Sequence, residues 1–169
     1  MPKIFFSLSL LATMVDANNA SVGNPVWAIG PQYCVPYNVE LVIDRKPMHR
    51  IKFMVTDVQG NLLFKVKRHL LRLHDQGVLI DSVGNHVVTL RRKIMTAHHR
   101  WEVHRGDSTS NPILSVKTSA AIQLQTKLQV FKANKAEEIC DFRVEGSWSE
   151  SSYVIYAGES STIIAQVCS

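Results

Sequence analysis

The sequence predicts an all-β chain, an antiparallel barrel or sandwich of many short strands. Three observations carry this. From about Tyr37 onward, apolar and polar residues alternate with a period of two. Turn chemistry interrupts the alternation every eight to twelve residues. No stretch shows the 3.6-residue periodicity of a long helix. At 169 residues, 46% apolar and 20% charged, the chain suffices for one domain with a substantial core, and it is too apolar for wholesale disorder. No run approaches the ~18 apolar residues that a spanning helix needs.

The elements follow in order. Val39, Leu41 and Ile43 share one face of a first strand, with Glu40 and Asp44 on the other. Ile51, Phe53 and Val55 oppose Arg50, Lys52 and Thr56 in a second. Asp57-Val58-Gln59-Gly60-Asn61 then supplies a hairpin turn, with Gly and Asn for positive φ. On its far side Leu62, Phe64 and Val66 point inward while Lys65 and Lys67 point out. Further strands are expected at 78–81, 86–93, 100–105, 113–117, 124–132, 140–145, 153–156 and 162–168. The stretch Gly106 to Pro112 is the longest evident loop, and Ala133 to Glu138 is where a turn of helix could form. About eleven strands at this spacing fit a barrel or sandwich better than an open sheet.

The N-terminus reads differently. Lys3 precedes an apolar run from Ile4 to Val15, and Val15-Asp16-Ala17 has the form of a small-residue cleavage site. A secretory signal and a retained apolar leader are the two readings. Cys34, Cys140 and Cys168 are widely separated, which fits neither a disulfide framework nor a paired metal-ligand spacing and points to a reduced, cytoplasmic setting. A disulfide becomes available only if the chain is exported.

Catalytic signatures are missing: there is no G-x-S-x-G, no phosphate-cradling glycine loop, no H-E-x-x-H and no calcium loop. A non-enzymatic chain without cofactor is therefore expected. Among the histidines at 49, 69, 74, 86, 98, 99 and 104, the densest group is His98, His99 and His104. Neighbours on a strand face opposite ways, so surface or turn histidines are expected and no metal site is. Cys140 shares the inward phase of Phe142 and Val144, as a buried structural thiol does.

Charge is the remaining clue. Nineteen Lys and Arg against fourteen Asp and Glu leave a net charge of +5, compatible with an anionic lipid or nucleic-acid partner. Lys65 and Lys67 face outward on one strand, and Arg45, Lys46, Arg91 and Lys93 lie at or near strand ends that a meander could bring alongside. Such a patch would meet a phosphorylated lipid headgroup through charge-assisted hydrogen bonds. An ordinary solvated face is the competing reading, since outward lysines discourage edge pairing. Nucleic acid is the competing ligand, although no aromatic stacking platform is interleaved with the charges.

Several stretches carry a family likeness: Tyr33-Cys34-Val35-Pro36-Tyr37 with Arg45-Lys46, Val55 to Val66, Leu73-His74-Asp75, Val88-Thr89-Leu90-Arg91, Arg100-Trp101, Gln123 to Leu128, Cys140 to Trp148 and Tyr156 to Ser160. Together they resemble the plant LURP-one-related family over about Tyr33 to Val167. The resemblance implies a tubby-like barrel of about twelve antiparallel strands around a central apolar helix, shared with tubby proteins and phospholipid scramblases. It also implies a link to plant defence and, through the fold, to membrane-tethered, phosphoinositide-holding regulators of transcription. Scramblase-like lipid handling, DNA binding and a shortened form without its own activity stand beside that reading. On this view residues 1–32 are an apolar leader and tail, and 33–169 are a tubby-like domain incomplete at its C-terminus. The family continues beyond the equivalent of Val167 with a further strand and the barrel-filling helix. Inward faces left wet or empty and reduced stability are then expected. The run Ile4 to Val15, ~18 Å long as a helix, offers a substitute filling. The expected site of action is cytoplasmic, at the plasma membrane or in the nucleus.

Overall fold

The computed structural model describes residues 28–35, 37, 39–45, 51–68, 76–93, 100–108, 110–122, 125–133, 139–147 and 152–167. Among these residues eleven strands make one antiparallel sheet in which each strand is bonded to its neighbours in the chain. They are β1 (Leu41–Arg45), β2 (Ile51–Asp57), β3 (Leu62–Arg68), β4 (Gln76–Asp81), β5 (His86–Lys93), β6 (Arg100–Arg105), β7 (Pro112–Ile122), β8 (Gln125–Lys132), β9 (Phe142–Ser147), β10 (Ser152–Ala157) and β11 (Ile163–Val167). The leader Met1 to Ala17, the residues 134–138 of the expected helical turn, His98, His99 and Cys168 lie outside the described residues. Among the described residues the one helical element is a 3-10 turn, Pro31–Tyr33.

Alternation selects the core. Phe53, Val66, Leu79, Val88, Leu90, Val103, Leu114, Phe142, Val144 and Ile155 are 0–2% exposed and belong to one cluster, with Leu41 and Ile43 of β1 and Ile164, Ala165 and Val167 of β11 packed against it. An eleven-stranded twisted sheet buried to this extent along one face has a barrel-like curl. These inward side chains are buried, not wet as expected from the sequence. Ile29 is 3% exposed within this cluster, and Ala28 and Tyr33 pack against it. Arg105 Nη2 donates to the Ile29 carbonyl at 2.8 Å, and the Tyr33 ring meets Phe64 with centroids 5.9 Å apart. The packed unit thus includes Ala28 and Ile29.

Two strands depart from their expected form. β7 runs to Ile122 because its pairing with β8 continues past a register shift between Thr118 and Ala120 to Ile122 and Gln125. Backbone pairing overrides the loss of alternation in Thr118-Ser119-Ala120-Ala121. β4 is buried on both faces from Gln76 to Ile80. Its outward residues Ile80 and Val78 are the direct cross-strand partners of Lys65 and Lys67, whose four-carbon stems stand beside them.

Two hairpins, β2 to β3 and β4 to β5, use one turn design, Asp-x-x-Gly-Asn. Asp57 Oδ1 accepts the backbone N–H groups of Gln59 and Asn61 at 3.0 and 2.8 Å, and Oδ2 accepts Asn61 Nδ2 at 2.8 Å. Asp81 does the same with Val83, Gly84 and Asn85. Gly60 and Gly84 take φ of +85° and +103°, a backbone region in which a Cβ is strained. The Asn61 and Asn85 side chains first, and the turn N–H groups after them, hold the two carboxyls below the usual aspartate range.

Two predictions follow from the turns. Gly60→Ala lowers stability by about 1 kcal/mol through backbone conformation alone, because a Cβ there meets nothing within 4 Å; urea unfolding measures it. Since folding lowers the pKa of Asp57 and Asp81, their contribution is present at neutral pH and fades as pH falls through and below the ordinary aspartate range. The double variant Asp57→Asn, Asp81→Asn therefore shows a shallower loss of unfolding midpoint between neutral and acid pH than the parent does.

Candidate functional site

Val66 is 1% exposed and Leu90 is 2% exposed, so Lys65 and Lys67 on β3 and Arg91 and Lys93 on β5 take the sheet face opposite the core. β4 separates the two strands. Lys67 pairs with Val78, which pairs with Thr89, and Gln76 pairs with Arg91. Arg91 thus stands two strands across and one pleat repeat along from Lys67. Strand geometry makes that separation roughly 12 Å between Cα atoms.

The structure brings four of the six sequence candidates onto one face. It does not bring Arg45 there. Arg45 pairs with Phe53 and shares the phase of the core-packed Leu41 and Ile43, while Asp44 takes the outer position, in register with Met54 and through it with Lys65. Adjacency in the chain does not carry the pleat parity that separates Arg45 from Lys65. Lys46 lies outside the described residues.

The cationic row also extends further than the sequence reading found. Lys93 is paired with Arg100, Arg100 with Lys117, and Lys117 through Gln129 with Arg143. The signal was available in principle, since Arg100 and Lys117 each sit at an outward position, but strand register is needed to align them. Within the row, Lys93 Nζ bonds Glu102 Oε1 at 3.0 Å, and Glu102 faces Arg91 directly across β5 and β6. Lys117 Nζ lies 4.9 Å from the Phe131 ring centroid. Arg143 braces the β10–β11 turn: it donates to the Gly158 and Ser160 carbonyls, lies near Glu145 and Glu159 and covers the Tyr156 ring at 4.7 Å.

His104 corrects the expectation of surface histidines. It is 2% exposed, and its Nδ1–H donates to the Ser110 carbonyl at 3.1 Å. The neighbouring Thr89 hydroxyl donates to the Gly106 carbonyl at 2.6 Å. The loop after β6 folds back over this part of the outer face, which the period-two pattern alone could not show. His86 Nδ1 pairs with Asp107 and is half-exposed. Among the described residues no three metal-ligating side chains gather.

Cys140 is buried as expected, at 3% exposure, and its Sγ–H donates to Glu159 Oε1 at 2.9 Å. Burial first, and the Glu159 carboxylate second, push its thiol from 9.0 up to about 11. Burial also raises Cys34. A thiol kept protonated is a poor nucleophile. Cys140 therefore reacts with a disulfide reagent at pH 8 only on unfolding. Because folding raises this pKa, its contribution to stability is full below pH 9 and is lost as pH rises through about 11. Cys140→Ala shows a flatter fall in unfolding midpoint over that window.

Comparison with known proteins bears on the whole barrel. A family model described as LURP-one-related matches residues 39–169. Protein LURP-one-related 15 of Arabidopsis thaliana is 52% identical over 144 residues, covering 82% of this chain and 66% of that protein. Protein LURP1 of the same plant is 50% identical over 149 residues, covering 85% of this chain and 72% of its own length. The chain thus spans about two-thirds of the length of these relatives. A crystal structure of a protein from Arabidopsis thaliana superposes with a TM-score of 0.66 at 45% identity, covering 82% of this chain and 77% of that one. With the fold and these matches in agreement, the chain belongs to the LURP-one-related family.

Proposed function

We propose that this chain is a non-enzymatic binding module that holds a phosphorylated lipid headgroup at a membrane surface through Lys65, Lys67, Arg91 and Lys93. One observation supports the reading above others: the β3–β4–β5 register sets these four side chains on one outward face, with Lys67 and Arg91 roughly 12 Å apart at Cα. Arg offers a two-pronged grip on a phosphate and Lys a point charge, so a headgroup with two phosphates can bridge the pair of strands. Val78 and Ile80 between them are buried and make an apolar surrounding in which charge-assisted bonds strengthen. A regulatory role in plant defence, implied by the family resemblance, is part of the same proposal.

Sedimentation with phosphatidylcholine vesicles, plain or carrying a bisphosphorylated phosphoinositide, tests it. The parent chain binds only the doped vesicles, and Lys65→Glu with Lys67→Glu weakens that binding by at least about tenfold. Tight binding to duplex DNA that falls steeply with salt, without preference among vesicles, would instead identify a nucleic-acid partner.

A further inference from the structure

In an antiparallel meander the connections alternate between the two ends of the barrel. The five connections at one end, β2–β3, β4–β5, β6–β7, β8–β9 and β10–β11, each carry a carboxylate: Asp57, Asp81, Asp107, Asp141 and Glu159. Local chemistry puts each there. Asp57 and Asp81 close their own turns, Asp107 pairs with His86, Asp141 Oδ2 accepts the Lys132 N–H at 2.8 Å, and Glu159 accepts the Cys140 thiol. The cations described at this end, Arg105, Lys132 and Arg143, are fewer than its carboxylates.

The opposite end has the opposite sign. There β3 finishes in Lys67-Arg68, β5 finishes in Arg91-Arg92-Lys93, and β6 begins at Arg100, with Glu102 near them and Asp44 and Glu145 toward the same end on β1 and β9. We propose that the barrel stands end-on against an anionic bilayer, with the rim of β3, β5 and β6 toward the lipid and the carboxylate-bearing turns pointing away. The proposal deepens the headgroup reading and rests on it.

Distance decides the orientation. A strand of six residues spans ~20 Å, against a Debye length of ~8 Å at physiological salt. With the rim down, the five carboxylates lie beyond the reach of the surface potential while the rim cations lie within it. With the barrel on its side, Asp44 and Asp81 come down with Lys65 and offset it. The occupant is a bilayer and not a free phosphate, because the cations lie on three strands, β3, β5 and β6, with β4 between them, and match an extended surface of charge.

Sedimentation of the full chain with vesicles of phosphatidylcholine and phosphatidylserine tests this through single charge changes. Arg68→Glu and Arg100→Glu, at the rim, each weaken binding about fivefold or more. Lys65→Glu, farther up β3, weakens it less than half as much, and Asp107→Lys at the far end leaves it unchanged. Lys65→Glu matching the rim variants, with Asp107→Lys tightening binding, would mean that the barrel lies on its side; the orientation then falls while lipid binding survives. A parent chain that binds only vesicles carrying the bisphosphorylated phosphoinositide overturns the end-on contact and leaves the headgroup reading, and one that binds neither these nor the phosphatidylserine vesicles overturns both. If a rim variant loses cooperative thermal unfolding, Arg68→Gln and Arg100→Gln carry the same comparison, with the same ordering against Lys65→Gln.

Discussion

Antiparallel pairing of each strand with its neighbour in the chain is the constraint from which the rest of this structure follows. It sends successive side chains to opposite faces and successive connections to opposite ends. The first consequence separates the core, with Leu79, Val88 and Leu114 shut away, from the outer cations. The second separates the turns by end. Position in the chain therefore sets, for each residue, both the face and the end at which its chemistry is expressed.

The turns show how local requirements add up to a property of the whole molecule. An aspartate at the last position of β2 or β4 accepts hydrogen bonds from the backbone it precedes, and no long or apolar side chain could do so. Glu159 and Asp141 are placed by equally local contacts. None of these residues needs to sense the others. Because their connections lie at one end, the carboxylates nevertheless accumulate there, and the charge asymmetry of the barrel is a by-product of turn chemistry.

Much of this was legible in the residues. Period-two alternation located eleven strands, and Asp57 to Asn61 announced its turn through Gly60 and Asn61. Val66 flanked by Lys65 and Lys67 fixed the faces of β3. Other features needed the fold. Arg45 looked like a companion of Lys65 until pairing with Phe53 put it in the core phase. Burial of His104 depends on a loop folding back, and Ile29 joins a core built from strands far along the chain, its carbonyl held by Arg105, 76 residues away. Alternation describes a strand's two faces, but it does not say what packs on them from a distance.

The strict succession from β1 to β11 also bears on how the chain reaches its native state. Every strand pairing in the sheet joins consecutive elements, so each hairpin can form as soon as its two strands exist, on the microsecond scale typical of hairpins. Loop-closure entropy then enters in small, similar steps along the ladder, and only the final curl requires distant parts to meet. A barrel assembled this way can grow from its N-terminal hairpins during synthesis, with the ladder zipping at the pace of the ribosome.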